Sequence, residues 1–199
     1  MKRGFLRRSA KAVAMTAKPV MRLVLGIFFD PDFLKGRHFD DGLSGYIWGF
    51  RSIWTRNFLR LAPPCKFPVG YRAVISNPNN IKFHVDDLNN FQSPGLYLQN
   101  FAGTIRLGRG TYIAPNVGII TANHDPSDLD RHVPAEDVNI GDQCWIGMNS
   151  VVLPGVTLGP RTIVGAGSVV TKSFPDGHCI VAGNPARVIR THKPDLRQP

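Results

Sequence analysis

Three consecutive residues, Asn123, His124 and Asp125, are the best candidates for chemistry in this sequence. An unperturbed imidazole has a pKa of about 6.5, so a histidine can take up and release a proton near neutral pH. Two interpretations of His124 stay open from the residues alone. It is either a proton acceptor in a reaction or a loop histidine that bonds to a neighbouring aspartate.

The cysteines and the other histidines favour neither a nucleophile nor a metal site. The chain has three cysteines, an odd number at irregular spacing, which indicates neither a disulfide framework nor a zinc site. Cys144 falls at a small position of a repeat described below, so we expect it to pack in the interior. We expect no bound metal and a reducing, cytoplasmic compartment.

A six-residue repeat decides which elements position His124. One aliphatic residue recurs at every sixth position, with one interruption, at Leu107, Ile113, Ile119, Ile140, Ile146, Val152, Leu158, Val164 and Val170. A period of six matches neither a helix nor a simple sheet face. It is typical of a β-helix in which each unit supplies one short strand. Phe101 extends the pattern upstream as a candidate first rung, and Gly or Asn three residues after the aliphatic position predicts corners with unusual backbone angles.

The interruption at 120–139 contains His124 near its start. Two repeat registers that should adjoin, at Ile119 and Ile140, are separated by an insertion rich in Asp, Pro and His. Solenoids place such insertions as protruding loops on one face, which is often the functional face. The sequence therefore predicts that a β-helix presents His124 on a protruding loop.

The repeat and four motifs resemble the hexapeptide-repeat acyltransferase superfamily, especially the galactoside, maltose and antibiotic O-acetyltransferases. The motifs are Asn123-His124-Asp125, Trp145-Ile146-Gly147, the run 165–172 and the closing run 183–190. The resemblance covers about residues 97–191. It implies a mainly β fold, a left-handed parallel β-helix with an N-terminal helical region. The handedness comes from the resemblance alone, because parallel crossovers are normally right-handed.

The resemblance also implies an acetyl-CoA-dependent O-acetyltransferase, with a saccharide of a cell-envelope or capsular glycan as acceptor. His124 would act as general base, and Asn100, Asn123 and Asp125 would contact the acceptor. The acetyl-CoA contacts implied by the matching motifs are Trp145, Met148, Ala166, Thr171, Lys172, Arg187 and Arg190. Cations suit CoA because its phosphates are strongly anionic. The family further implies a homotrimer with active sites between subunits.

Other functions stay open at this stage. They are antibiotic or serine O-acetylation, and a β-helix that acts only as a scaffold or binding protein. A zinc carbonic anhydrase on this scaffold needs three convergent histidine ligands, and the paired spacing of that subfamily is missing among the six histidines.

The N-terminal part carries most of the charge. Residues 1–60 hold twelve Lys or Arg against four Asp, in a chain of net charge +10. The apolar run near residue 25 is about half of the ~20 residues that a spanning helix needs. Residues 1–30 form a basic helix that lies on anionic lipid at the inner membrane face, a solvated helix, or a helix packed against a neighbouring coil. No nucleic-acid motif accompanies the charge.

An aromatic stripe after residue 44 predicts a helix whose apolar face packs in the core or against another subunit. Its members follow spacings of three and four: Trp48, Phe50, Ile53, Trp54, Phe58 and Leu61. Pro63-Pro64 ends this helix. We therefore divide the chain into a helical region 1–65, a β-helix 66–191 and a tail 192–199.

Overall fold

A computed structural model describes residues 16–192. The chain divides into two compact units, Met1–Tyr71 and Arg72–Pro199, here the N-terminal and C-terminal units. The division into 1–65, 66–191 and 192–199 stays a prediction, and most of its tail lies outside the described residues. Within residues 16–192, no helix is both long enough and apolar enough to cross a bilayer.

The N-terminal unit is helical. Its elements are α1 (Lys18–Leu25), a 3-10 turn (Pro31–Phe33), α2 (Ser44–Ser52) and a π-helical segment (Ile53–Phe58) that continues α2. The two α-helices approach closely, because a Cβ atom on Gly49 would lie 2.9 Å from the Leu25 side chain. Glycine at this position therefore allows the helices to pack together.

The C-terminal unit consists of short strands in three main sheets. Sheet A contains β1 (Val74–Ile75), β3 (Tyr97–Gln99), β6 (Gly118–Ile120), β11 (Val151–Val152) and β14 (Val169–Val170). Sheet B contains β2 (Ile81–Lys82), β4 (Ile105–Leu107), β9 (Val138–Ile140) and β12 (Thr157–Leu158). Sheet C contains β5 (Tyr112–Ile113), β10 (Trp145–Ile146), β13 (Ile163–Val164), β15 (Cys179–Gly183) and β16 (Ala186–Thr191). Two further 3-10 segments span Pro78–Asn80 and Val85–Gln92.

The chain visits the sheets in the order B, C, A, and then starts the next coil. Strands in successive coils pair in parallel, with Ile146 beside Val164 and Val152 beside Val170. Each partner is three hexapeptides away, so one coil comprises three repeats. Among the described strands of these three sheets, only β16 runs antiparallel, where it folds back on β15. The predicted parallel β-helix is confirmed.

The aliphatic positions of the repeat form the interior. All nine side chains named above, from Leu107 to Val170, are buried. Each contributes about 1.5–3 kcal/mol by leaving water. The prediction of Phe101 as a first rung is wrong, because its side chain is 42% exposed. Leu98 and Ile105 instead fill the interior on either side of it.

The corners have the backbone geometry predicted for them. The third residue after the aliphatic position has a positive φ angle at Gly110, Asn116, Gln143, Asn149, Gly155, Arg161 and Gly167. Hydroxyl side chains close these turns, as when Thr162 Oγ1 donates to the carbonyl of Gly159 at 2.7 Å. The buried corner hydroxyls therefore satisfy carbonyl groups that the strands leave unpaired.

One column of glycines brings successive coils into backbone contact at the corner between sheets B and C. A Cβ atom on Gly159 would lie 2.1 Å from the carbonyl oxygen of Pro175, and one on Gly141 would lie 2.8 Å from the nitrogen of Pro160. Any side chain at these positions would force the coils apart. The sequence keeps glycine there because of this close approach.

Gly159→Ala and Gly167→Ala form a matched pair that separates steric clash from backbone strain. Gly167 has φ +70°, and a Cβ atom added there would meet nothing within 4 Å, so alanine should cost about 1–2 kcal/mol of strain. We expect Gly159→Ala to lower the free energy of unfolding by more, because the backbone of the next coil must move. Urea unfolding of both variants measures the difference, and equal losses would contradict the stacking argument.

Candidate active site

The insertion at 120–139 forms a β-hairpin on one edge of the β-helix. Strand β7 (His124–Asp125) pairs antiparallel with β8 (Asp128–His132). The hairpin leaves the coil after β6 of sheet A and returns at β9 of sheet B. It therefore lies on the edge between sheets A and B, here the A–B edge. The predicted protruding loop is confirmed.

Gln99 fixes the start of the hairpin. Its side-chain oxygen accepts from the N–H of Ala122 at 3.1 Å, and its side-chain nitrogen donates to the carbonyl of Ala122 at 3.0 Å. The hydroxyl of Thr121 donates to the Gln99 carbonyl at 2.8 Å. These bonds hold the chain directly before His124 against the preceding coil.

The ring of His124 is held by one hydrogen bond and one stacked ring. Its Nδ1 lies 2.7 Å from the carbonyl oxygen of Leu129 in the opposite strand. A carbonyl only accepts, so Nδ1 must carry the proton, and the lone pair of Nε2 is left to accept another. The His132 ring stacks on His124 at 4.3 Å between centroids, and Phe101 meets His132 edge-on at 5.0 Å. The exposed imidazole therefore has a defined tautomer and orientation.

Asp125 closes the tip of the hairpin. Its carboxylate accepts from the hydroxyl of Ser127 at 2.6 Å, from the N–H of Ser127 at 2.9 Å and from Arg131 at 3.3 Å. The Ser127 hydroxyl bond, with the other two contacts, lowers the pKa of Asp125 below its usual range. Contact of this carboxylate with an acceptor stays a prediction.

Asn123 and Asn100 have different surroundings. Asn123 is exposed beside His124, and its carbonyl accepts from the N–H of Val133 at 3.0 Å. Asn100 is fully buried, where its amide nitrogen donates to the Asn77 carbonyl at 2.6 Å and its amide oxygen accepts from the Asn77 N–H at 3.1 Å. Both functions of the Asn100 amide are thus engaged within the coil. Its predicted acceptor contact would require these bonds to break.

The predicted donor-side residues lie in four places. Met148 and Ala166 are stacked on the edge between sheets C and A, here the C–A edge, where the Gly167 N–H donates to the Met148 carbonyl at 2.8 Å. Trp145 is exposed on sheet C. The remaining residues are exposed, on the A–B edge (Thr171, Lys172) or on β16 (Arg187, Arg190).

The base and the C–A edge are therefore separate within one chain. His124 stands on the A–B edge, whereas Met148 and Ala166 stand on a different edge of the same coils. Lys172 shares the edge of His124, and its ammonium group lies 5.8 Å from the Phe174 ring centre.

The remaining reactive groups do not form a second centre in the described part of the chain. Cys144 is buried, its thiol donates to the Gly159 carbonyl at 3.2 Å, and burial raises its pKa. It packs in the interior, as its repeat position predicts. Across residues 16–192, no group of three His, Cys, Asp or Glu is arranged to hold a metal ion.

Comparison with known proteins identifies the repeat. Residues 137–172 match the family model described as bacterial transferase hexapeptide (six repeats). Residues 137–172 therefore carry the hexapeptide repeat of bacterial transferases, and the chain is similar to acetyltransferases that are named below. The left-handed coiling stays an expectation from the resemblance.

Three relatives illustrate how far the similarity of this hexapeptide-repeat chain extends. Galactoside O-acetyltransferase of Escherichia coli K12 is 40% identical over 91 residues, which cover 44% of this chain and 44% of that protein. A Saccharomyces cerevisiae protein, assigned to the acetyltransferases by name only, is 46% identical over 83 residues (40% of this chain, 41% of that protein). A hexapeptide-repeat acetyltransferase of Vibrio cholerae O1 biovar eltor, solved with acetyl-CoA, is 32% identical over 49% of this chain and 66% of that one, with a TM-score of 0.41. The chain spans less than half of the length of both sequence relatives.

Sequence reasoning missed two residues that position His124 in the hexapeptide-repeat chain. Leu129 acts through its main-chain carbonyl, which no residue type reveals. Gln99 lies more than twenty residues before the segment that it holds, and only the pairing of β3 with β6 brings them together. Knowledge of that register would have placed Gln99 beside Ile120, at the root of the hairpin.

We expect His124 to exist in its neutral form as the Nδ1–H tautomer. The Leu129 carbonyl requires a donor, and Nδ1 is the ring nitrogen that faces it. Long-range proton–nitrogen NMR correlations, recorded at a pH at which the ring is neutral, distinguish the tautomers. A dominant Nε2–H form would contradict the arrangement, and a His132→Phe variant should keep the Nδ1–H form because it preserves the stacked ring.

Acid should loosen the hairpin tip. The folded-state pKa of Asp125 is lowered, so its bonds to Ser127 stabilise the tip above the unfolded pKa, and this stabilisation is lost as the pH falls through the folded pKa. We expect Ser127→Ala to raise the pKa of Asp125. Carboxyl carbon NMR titration of both proteins measures it, and an unchanged pKa in the variant would show that Ser127 does not hold the carboxylate.

Proposed function

We propose that the chain transfers the acetyl group of acetyl-CoA to a hydroxyl group of a saccharide, with His124 as the general base. The observation that carries this proposal is the bond from His124 Nδ1 to the Leu129 carbonyl, which leaves Nε2 to accept a proton. In this reaction the hydroxyl oxygen attacks the thioester carbonyl while Nε2 takes its proton. The carbon–sulfur bond then breaks, and the proton passes to the CoA thiolate.

Direct attack by the acceptor hydroxyl suits this site, because the reaction then needs no nucleophilic side chain from the protein. The cysteines of the described chain are buried, and their thiol pKa values are raised by burial. A protonated, buried thiol is a poor nucleophile. The exposed imidazole is better suited, because a substrate hydroxyl can reach it from solvent.

We place acetyl-CoA along the C–A edge, beside Met148 and Ala166. The hexapeptide segment at 137–172 and the acetyltransferase names of the sequence relatives support this donor. Trp145, which shortly precedes Met148 in the sequence, offers an exposed aromatic surface. Lys172, Arg187 and Arg190, together with Thr171, are the proposed contacts of the nucleotide end, since exposed cations suit its phosphates.

The separation of the two edges favours an active site between subunits. His124 and the Met148–Ala166 pair stand on different edges of one β-helix, so a base on one chain would act on the acetyl group held by another. A homotrimer meets this need, because three β-helices packed side by side bring unlike edges together. This assembly is part of the proposal.

A saccharide is the proposed acceptor because the Escherichia coli relative is named for a galactoside. Asn123, exposed beside His124, is its proposed contact, together with Asp125. The buried Asn100, bonded to Asn77, supports the coil instead. A cell-envelope or capsular glycan, assembled in the cytoplasm or at the inner membrane face, would be the natural substrate. The free, buried cysteines agree with a reducing compartment.

Thiol release from acetyl-CoA in the presence of a panel of sugars and envelope glycans tests the activity. We expect turnover with at least one acceptor, and His124→Ala should lower it by about 10²–10⁴-fold, as for the loss of a general base. His192→Ala is the matched control, because His192 follows β16 and should leave turnover unchanged. Acetyl-CoA binding without turnover would point to a scaffold or binding protein, and absent binding would overturn the enzyme proposal.

Complementation tests the shared site. We expect His124→Ala and Ala166→Trp to be inactive alone, the first without a base and the second with a blocked donor edge. Mixed oligomers made by co-expression should regain part of the wild-type turnover, because some sites then combine an intact base with an intact edge. Lack of recovery in mixed oligomers verified by mass spectrometry would place both functions within one chain.

A further inference from the structure

Helix α1 turns an apolar stripe outward. Val20, Leu23 and Val24 share one face of α1, and Ile27, in the turn that follows the helix, continues this stripe at a spacing of four. Leu23 is 74% exposed and Ile27 is 76% exposed. In a surface helix of a globular protein this stripe would normally face the core.

Helix α2 and its π-helical continuation also turn an apolar stripe outward. Ile47, Phe50, Trp54 and Phe58 lie at spacings of three and four and are all exposed, with Trp54 at 59% and Phe58 at 65%. The buried side of α2 contains Tyr46 and three small residues, Gly45, Gly49 and Ser52. The prediction placed the aromatic stripe in the core or against another subunit. Placement in the core is wrong for Phe50, Trp54, Phe58 and Leu61, which are exposed, whereas Ile53 is buried. The helix buries its small residues because they let α1 and the Phe39 ring approach closely.

The two helices that carry these stripes pack against each other. Leu25 of α1 packs on Gly49 of α2, and the rings of Phe28 and Phe58 lie 6.5 Å apart. Trp54 and Phe58 are themselves 6.1 Å apart. We use the name apolar face for Leu23, Ile27, Ile47, Phe50, Trp54 and Phe58. Contiguous exposed apolar surface of this kind marks a site of interaction.

Charge identifies the partner. Exposed Arg51 and Arg60 lie on the same helical segment and its end, and residues 1–60 hold twelve Lys or Arg against four Asp. Two of those carboxylates are engaged within the unit, Asp40 by Arg22 at 2.6 Å and Asp32 by Lys35 at 2.8 Å. A basic face repels a second copy of itself. It attracts an anionic surface, and tryptophan with phenylalanine favours the boundary between lipid headgroups and acyl chains.

We propose that the apolar face of the N-terminal unit inserts into the headgroup region of an anionic bilayer, with Trp54 and Phe58 as aromatic anchors and basic residues at the lipid phosphates. The helices lie in the plane of the membrane surface. This inference goes beyond the basic segment 1–30 predicted from sequence, because it assigns insertion to side chains between 23 and 58. It does not depend on the acetyltransferase proposal.

Co-sedimentation of the full chain with vesicles tests the proposal. We expect binding to vesicles of phosphatidylcholine with phosphatidylglycerol, and weaker binding to phosphatidylcholine alone. Ile27→Ser/Trp54→Ser should lower partitioning by about tenfold or more, as expected for two lost apolar insertions. Val74→Ser/Tyr97→Ser is the matched control, since it removes an aliphatic and an aromatic side chain that are exposed in the C-terminal unit. It should leave partitioning unchanged.

Lipid-borne quenching supplies a readout of insertion itself. Bromine-labelled lipid should quench the fluorescence of Trp54 in the bound protein, and Trp54→Phe should abolish most of this quenching while partitioning persists. Unchanged partitioning of Ile27→Ser/Trp54→Ser would overturn the proposal, because electrostatic attraction alone would then account for vesicle binding. Vesicle-independent self-association that Ile27→Ser/Trp54→Ser abolishes would also overturn it, in favour of a contact between copies of the chain.

Discussion

Backbone contact between successive coils is the constraint on which the C-terminal unit depends. At the corner between sheets B and C, Gly141 and Gly159 leave no room for a side chain, so each coil rests on the main chain of the next. This contact keeps strands in parallel register and stacks the aliphatic side chains in one column. A stack of this kind can hold a long insertion at one corner, because neighbouring coils support the corner on both sides.

The hairpin uses that rigidity to orient one imidazole. Gln99 joins its root to the preceding coil, and the Leu129 carbonyl sets the tautomer of His124 from the opposite strand. His132 and Phe101 support the ring from one side. An exposed histidine therefore keeps one orientation without the carboxylate partner that often serves this purpose. The general-base proposal rests on this arrangement, in which ring packing and one main-chain carbonyl prepare the ring for proton transfer.

The sequence predicted the β-helix well because the period of six reports the interior directly. It also located His124 on a protruding loop, since an insertion interrupts the register there. It could not reveal Leu129, whose contribution is a carbonyl, or the engagement of Asn100 by Asn77, which depends on a coil many residues earlier. In the N-terminal unit the helical period was right, but most of the aromatic stripe does not pack in the core of the unit. Periodicity shows that residues such as Trp54 share a face, and only the packing of Gly49 on Leu25 decides which face is inward.

A crystal structure of the full chain with acetyl-CoA would show whether His124 of one subunit faces a donor held by another. We predict that the thioester lies within reach of Nε2 of His124 from one subunit, while the pantetheine follows Met148 and Ala166 of a neighbouring subunit. Lys172, Arg187 or Arg190 would then meet the nucleotide end. Acetyl-CoA bound far from His124, or a His124 ring turned so that Nδ1 leaves the Leu129 carbonyl to face the thioester, would contradict a general-base role for Nε2.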